Sequence, residues 1–221
     1  MLRVEGVRKD HRHRSGIVRV LDRVNLDIDR GDYVSIVGQS GSGKSTLLLM
    51  LGGMLSPTRG RVVIGEDSLY DMTAAARADL RRNELGFLFQ TFNLIPYLTA
   101  LENVQVPLLL RAADGPDQAS TAADLLDRVG LRDRIDHKPS ELSVGQQQRV
   151  AVARMLANDP AVILADEPTG NLDPETSIEI LEFLEETNRQ GRTVVMVTHD
   201  PEAANRASRK LRLHNGAVVP G

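Results

Sequence analysis

The hydrophobic pattern of this chain alternates between short apolar runs, typical of buried strands, and longer runs with helical spacing. Strand-like runs lie at 2–7, 18–28, 33–37, 61–64, 86–89, 162–165 and 193–198. Helix-like runs lie at 46–54, 101–110, 119–129, 145–158 and 178–189. Strand–helix alternation at both ends of the chain predicts an α/β fold with a parallel sheet, interrupted by helices over about 91–158. A hairpin is predicted over 211–219, turned at Asn215-Gly216.

Composition narrows the classes of protein without naming one. The 221 residues are 41% hydrophobic and 26% charged, which is ordinary for a globular domain. A net charge of −3 gives no sign of a nucleic-acid binder, and the lack of cysteine excludes disulfides. We expect no signal peptide, and no apolar run approaches the roughly 20 residues needed to span a bilayer. Work at a membrane would therefore require another chain in the bilayer.

Residues 38–45, GQSGSGKS, match the phosphate-binding loop pattern G-x-x-x-x-G-K-[ST], with a predicted strand before it and a helix after it. Lys44 is expected to reach the β- and γ-phosphates, and Ser45 to hold Mg²⁺. A glycine-rich turn that binds nothing is the alternative. The residues expected to bind the nucleotide here are Gly38, Gln39, Ser40, Gly41, Ser42, Gly43, Lys44, Ser45 and Thr46.

Two adjacent carboxylates follow the apolar run 162–165. A strand this apolar is expected near the centre of the sheet, so it delivers Asp166 and Glu167 to the carboxyl edge, where open α/β sheets bind ligands. Asp166 would belong to the Mg²⁺ shell, and Glu167 would orient and deprotonate the attacking water. Capping of a strand end is the alternative.

The segment LSVGQQQRV, 142–150, places Ser143 and Gln146 at the spacing of a helix capping box. Gly145 in the first turn would leave backbone donors free for an anion. With VILADEPTGNLD at 162–173, this segment resembles the signature and Walker B motifs of the ATP-binding-cassette (ABC) ATPases. The resemblance covers nearly the whole chain. It is closest to the macrolide-exporter and lipoprotein-releasing subfamily, on residues 86–96, 98–104 and 166–173.

The resemblance implies an α/β P-loop NTPase core with a mixed sheet, an N-terminal antiparallel β-subdomain and a helical subdomain. One domain would span 1–221, with its core at about 1–90 and 159–221 and the helical subdomain at about 91–158. It also implies a head-to-tail dimer in which Ser143, Gly145 and Gln146 contact ATP held by the partner copy. Val144 replaces a more common glycine, and its Cβ predicts some loss of closing affinity.

Further roles also come from the resemblance. Gln90 would contact Mg²⁺ or the water and relay ATP occupancy, and His199 would contact the γ-phosphate. A polar strand end and a structural histidine are the alternatives. His11 falls where the family often has an aromatic residue on adenine; the alternative is that the basic run Lys9–Arg14 is a solvated turn. Asp173, before Pro174, is a predicted N-cap.

The function implied is ATP binding and hydrolysis that drives a separate transmembrane permease through dimer closure, at the cytoplasmic face of the membrane. Residues 90–97, with Leu94, Ile95 and Tyr97, would form the docking surface for a permease helix, although core packing could also explain these side chains. A non-transporting complex that controls cell-wall enzymes remains an alternative with the same motifs. Soluble ABC proteins of translation or DNA repair usually carry two cassettes or long insertions, which this sequence lacks.

Overall fold

The computed structural model describes residues 1–13, 16–111 and 117–221. Its strands are β1 (Leu2–His13), β2 (Gly16–Ile28), β3 (Tyr33–Val37), β4 (Arg59–Ile64), β5 (Asp67–Ser68), β6 (Leu85–Leu88), β7 (Val162–Asp166), β8 (Thr193–Thr198), β9 (Arg209–His214) and β10 (Ala217–Pro220). Its α-helices are α1 (Lys44–Leu51), α2 (Ala74–Glu84), α3 (Ala100–Leu109), α4 (Gln118–Arg128), α5 (Val144–Leu156), α6 (Pro174–Arg189) and α7 (Pro201–Asn205).

The larger sheet has six strands in the order β10-β9-β3-β8-β7-β6. The strands from β9 to β6 pair in parallel, and β10 pairs antiparallel with β9 through the predicted hairpin. Because the carboxyl ends of parallel strands meet at one edge, β3, β6, β7 and β8 deliver the segments that follow them to the same place. The mixed sheet implied by the resemblance is confirmed.

The smaller sheet is antiparallel, in the order β2-β1-β4-β5, which confirms the predicted N-terminal β-subdomain. Strand β1 was predicted to end at Val7 but continues to His13, with irregular register between Val4 and Asp10. The polar extension pairs with residues at the start of β2, so it needs no apolar core. Asp10 supports it through ion pairs with Arg8 at 2.7 Å and Arg19 at 3.4 Å. The short β5 was missed because two polar residues carry no periodicity.

Capping residues fix where the helices begin. Helix α6 starts four residues before its predicted apolar stripe, because Asp173 accepts a hydrogen bond from the Thr176 amide and Pro174 fits the first position. The N-cap prediction at Asp173 is thereby confirmed. Helices α3, α4 and α5 lie inside the stretch predicted to be a helical subdomain, and the division of the chain into subdomains stays a prediction.

Two buried clusters cover the two faces of the larger sheet. On β8, Val194 and Met196 belong to the cluster shared with α3 to α6, while Val195 and Val197 belong to the cluster shared with α1 and the smaller sheet. A strand covered on both faces has no polar side, which explains its continuous apolar sequence. Among the described helices, none combines the length and apolarity required to cross a bilayer.

Candidate active site

An open cleft lies at the carboxyl edge of the larger sheet and brings together most of the predicted site residues. Its lining includes His11, all of Gly38–Thr46, Gln90, Glu167 and His199. Asp166 adjoins the cleft through its hydrogen bond with Ser45. Among the described residues that line the cleft, the signature residues 143–146 are absent. This chain therefore assembles one part of the predicted site and leaves another part elsewhere on its surface.

The phosphate loop contains glycines at positions where a side chain would collide with neighbouring residues. Gly43 precedes α1 with φ 100°, and a Cβ there would lie 2.8 Å from the Val20 side chain. A Cβ on Gly38 would lie 2.7 Å from the Leu213 carbonyl oxygen. No described side chain caps the first turn of α1, so its amide groups face the cleft with the positive end of the helix dipole. Such a turn is suited to bind an anion such as a phosphate.

Lys44 is held over this loop. Its side chain is 7% exposed, and Nζ donates to the carbonyl oxygens of Gly38 at 2.8 Å and Gln39 at 3.3 Å. The same Nζ lies 3.4 Å from Oε1 of Glu167. A buried ammonium group is costly unless acceptors surround it. These three acceptors compensate for the burial of the ammonium group and hold it beside the predicted phosphate position.

Glu167 is fixed by contacts at the end of β8. Its Oε2 accepts hydrogen bonds from the backbone amide of His199 at 3.1 Å and from the His199 Nδ1 at 2.9 Å. Its own amide donates to the Val197 carbonyl at 2.9 Å. The backbone of Glu167 has φ 46°, a left-handed conformation that side chains of this kind rarely adopt. Strain of this kind occurs at sites where the surrounding structure fixes a functional group.

Asp166 and Ser45 form the part of the cleft suited to Mg²⁺. Ser45 Oγ donates to Asp166 Oδ1 at 2.9 Å. Burial raises the pKa of the Asp166 carboxyl; the Ser45 hydrogen bond opposes this rise, and the neighbouring Glu167 adds to it. A partly desolvated carboxylate beside a hydroxyl offers the hard oxygen ligands that Mg²⁺ prefers. The described residues contain no group of three or more acidic, cysteine or histidine side chains that could hold a metal ion together. Mg²⁺ usually binds proteins through one or two carboxylates, with phosphate oxygens and water as its other ligands.

Gln90 is positioned by the loop that follows Glu167, through contacts that the sequence analysis did not predict. The Asn171 side-chain amide donates to the Gln90 carbonyl at 3.1 Å. A Cβ on Gly170 would lie 2.9 Å from Gln90 Nε2, so the glycine lets the glutamine side chain pack against this loop. Gln148, fully buried on α5, donates to the Pro168 carbonyl at 2.6 Å and ties the same loop to the signature helix. Both hydrogen bonds end on backbone carbonyls, which no sequence pattern marks.

The signature segment forms the predicted capping box at the start of α5. Ser143 Oγ accepts from the Gln146 amide at 3.2 Å, and Gln146 Oε1 accepts from the Ser143 amide at 2.9 Å. Gly145 is buried, and a Cβ there would lie 2.9 Å from the Thr176 side chain, so close packing of α5 on α6 also requires this glycine. Val144 is the first residue of α5 and is 48% exposed. Valine readily adopts the helical conformation found here, so its Cβ causes no strain in the single chain, and the expected loss of closing affinity stays a prediction.

His11 lies on β1 opposite Val18 of β2, and both side chains line the cleft. The alternative of a solvated turn is wrong for the described part of this run, because β1 continues to His13; Arg14 lies outside the described residues. In the predicted docking segment, Tyr97 is 73% exposed, whereas Leu94 is partly buried against the helical core. Core packing therefore explains part of that segment but not Tyr97.

The profile of the ABC transporter family matches residues 21–170 of this sequence. The chain belongs to the ABC transporter family.

Similar proteins agree on the family and differ in length. The macrolide export ATP-binding/permease protein MacB 1/2 of Paracoccus denitrificans is 45% identical over 219 residues, which is 99% of this chain and 33% of that protein. The uncharacterized ABC transporter ATP-binding protein YvrO of Bacillus subtilis is 41% identical over 99% of this chain and 96% of its own length. The chain thus spans about a third of the MacB relative and nearly all of YvrO.

Solved structures of the cassette MJ0796 resemble this ABC protein closely. A dimeric post-hydrolysis structure bound to ADP and Pi superposes with a TM-score of 0.92 at 43% identity, over 99% of this chain and 96% of that one. A second dimeric structure gives a TM-score of 0.93 at the same identity. The predicted fold, the family and the class of enzyme, an ABC ATPase, are confirmed. The roles of individual residues stay predictions.

Proposed function

We propose that this ABC protein hydrolyses ATP in its cleft within a head-to-tail dimer and thereby drives a separate membrane permease. The observation that carries the proposal is the meeting of Lys44 and Glu167, with Nζ and Oε1 3.4 Å apart, where the buried strands end. A phosphate-binding cation and a positioned carboxylate at one sheet edge are the two groups that phosphoryl transfer to water requires.

Within the cleft, Lys44 and the amides of Gly38–Thr46 bind the phosphates, and His199 approaches the γ-phosphate. Glu167 accepts a proton as the water oxygen bonds to the γ-phosphorus and the bond from that phosphorus to the bridging oxygen breaks, giving ADP and phosphate. Ser45, Asp166 and Gln90 would hold Mg²⁺, which supplies positive charge beside the phosphate oxygens when bound. His11, opposite Val18, would contact the adenine.

The signature residues serve ATP held by a second copy. Ser143 Oγ accepts from Gln146, which leaves its own proton free to donate to a phosphate oxygen. The amides at the start of α5 add the positive end of a helix dipole. Ser143 and Val144 are exposed in this chain, as an interface requires. The dimers of the similar cassette MJ0796, one of them bound to ADP and Pi, support this arrangement.

The proposed permease partner is supported by one relative and by one exposed surface. The MacB relative is named for both ATP-binding and permease parts, and this chain matches a third of it. The loop after Gln90, with Tyr97 73% exposed, offers an accessible aromatic side chain for a helix of such a partner. This would hold the ATPase at the cytoplasmic face of the membrane. A complex that signals mechanically would use the same ATPase steps.

Replacing Glu167 with glutamine tests the assignment of the base. Glu167→Gln keeps the shape and can keep accepting from the His199 amide, but it cannot take a proton from water. We expect ATP turnover to fall about 10³-fold, within the range for loss of a general base. Phosphate release measures turnover, and calorimetry measures ATP affinity, which should stay within about threefold of wild type because the phosphate loop is intact.

The same variant should accumulate an ATP-bound dimer, which size-exclusion chromatography in ATP detects. Glu179→Gln is a matched control, since Glu179 on α6 pairs with Arg149 at 3.1 Å rather than with the cleft. If Glu167→Gln turned over ATP nearly as fast as this control, Glu167 could not be the general base.

A further inference from the structure

The loop after Gln90 turns through two consecutive residues in a left-handed backbone conformation. Phe92 has φ 58° and Asn93 has φ 50°, and neither is glycine. A bulky aromatic residue rarely adopts this conformation, so other contacts must hold the turn. Because Gln90 is only two residues upstream of Phe92, contacts that hold this turn also constrain the backbone next to Gln90.

Arg154 holds this turn. Its guanidinium donates from Nη1 to the Asn93 carbonyl at 2.6 Å and from Nη2 to the Phe92 carbonyl at 2.5 Å. Both left-handed residues are thus bound by one planar fork, an arrangement that a lysine could not reproduce. Burial lowers the pKa of the Arg154 guanidinium, as expected for a cation partly removed from water.

Arg154 lies in the last turn of α5, whose first turn follows Ser143. A single helix without an internal proline therefore connects the signature end to the turn after Gln90, over about 16 Å at 1.5 Å per residue. From the other side, Asn171 binds the Gln90 carbonyl and Gly170 packs against its side chain. The loop after Gln90 is held between the helix that carries the signature residues and the loop that follows Glu167.

We propose that Arg154 is a positioning residue that couples displacement of α5 to Gln90. When the signature end of α5 engages ATP of a partner copy, the fork carries that movement to the Phe92–Asn93 turn and sets Gln90 in the cleft of its own chain. This inference rests on the proposed function, since it needs Gln90 and the signature residues to act on ATP. It assigns Arg154 no contact with the nucleotide.

A double-mutant cycle tests the coupling in the full chain. Arg154→Met should lower kcat for ATP about tenfold, within the range reported for misplaced catalytic groups, with KM within about twofold. Gln90→Ala should lower kcat by a similar factor. If Arg154 acts through Gln90, adding Arg154→Met to Gln90→Ala should lower kcat by less than about threefold, because coupled residues are not additive. Fully multiplied effects would overturn the inference.

Controls separate this inference from the proposed function. Arg82→Met removes a comparable arginine, whose partner Asp79 lies on the same surface helix at 2.8 Å, and should leave kcat unchanged. If Gln90→Ala alone leaves kcat at the wild-type value, the role proposed for Gln90 fails, and the coupling fails with it. If Gln90→Ala lowers kcat but the double variant shows the product of the two single effects, Gln90 keeps its role and the coupling alone fails. Should Arg154→Met not fold, Arg154→Lys takes its place in the cycle.

A second readout follows the loop without measuring turnover. The sequence has no tryptophan, so Tyr97→Trp, at an exposed position of the same loop, gives a single fluorescent reporter. Adding ATP and Mg²⁺ should change its emission, and Arg154→Met should remove most of that change while ATP affinity is retained. An unchanged response in Arg154→Met, or no response in the parent reporter, would overturn the inference.

Discussion

The phosphate-loop side of the site (Gly38–Thr46, Asp166 and Glu167) and its signature side (Ser143–Gln146) are built in different ways. On the phosphate-loop side, Lys44 is 7% exposed and every charged group has partners from its own chain. On the signature side, Val144 is 48% exposed and the polar groups bind each other in a capping box. The charged groups of the phosphate-loop side are paired within one chain, whereas Ser143 and Val144 on the signature side are exposed. This difference is the main structural argument for a site shared between two copies.

Of the substitutions Ser143→Arg, Asp166→Asn and Val144→Gly, the first should have the largest effect, because it places a large cation on the signature side. Ser143→Arg would put a bulky side chain at the start of α5, where ATP of the partner copy is expected. Turnover should fall more than about 100-fold, because both closure and the positive helix end are affected. ATP binding to the monomer, measured by calorimetry, should stay at the wild-type level.

Ser120→Arg, on the exposed part of α4, is the matched control for Ser143→Arg. Its turnover should be normal. If Ser143→Arg turned over ATP as fast as this control does, the signature side would have no role in hydrolysis.

An intermediate effect is expected on the phosphate-loop side from Asp166→Asn. Burial raises the pKa of Asp166 above its unfolded value. The ionised carboxylate therefore destabilises the fold, and this penalty grows as pH rises from below the unfolded pKa through the folded one. With Mg²⁺ removed by a chelator, Asp166→Asn should raise the free energy of unfolding at pH 7 and give no gain at acid pH. Urea denaturation across pH measures both.

Asp173→Asn should change the free energy of unfolding in the opposite direction to Asp166→Asn. Hydrogen bonds from Thr176 lower the pKa of Asp173, so its ionised form stabilises the fold at neutral pH, and that contribution is lost as pH falls through the folded pKa. Asp173→Asn should therefore lower stability at pH 7. A loss of stability in Asp166→Asn as well would contradict the idea that Asp166 is kept in place for a cation.

The smallest effect is expected at Val144. Because Val144 already lies in a helical conformation, Val144→Gly restores the more common residue without relieving strain. We expect turnover within about threefold of wild type and a free energy of unfolding lower by about 0.5 kcal/mol, from the poorer helix propensity of glycine. A gain in turnover of tenfold or more would show that the exposed valine side chain hinders closure.

The sequence predicted the two sides of the site unequally well. The phosphate loop and the Asp166–Glu167 pair follow from local pattern, because each motif directly continues an apolar strand. The contacts that orient Gln90 could not be predicted, since Asn171 and Arg154 bind backbone carbonyls that leave no mark on the sequence. Gly145 was assigned to ATP binding alone, and only the fold reveals its packing against Thr176. The polar end of β1 was missed because hairpin pairing outside the core needs no apolar pattern.

Complementation between two inactive variants tests the shared site most directly. Lys44→Ala removes the cation proposed to bind the phosphates, and Ser143→Arg should block the signature side, so each variant alone should be inactive. In a mixed dimer, the intact phosphate loop of the Ser143→Arg chain meets the intact signature of the Lys44→Ala chain. With random pairing of equal amounts, turnover should recover to about one quarter of wild type, from one working site in half of the dimers. Turnover that stays at the mean of the two separate variants would contradict a site built from two copies.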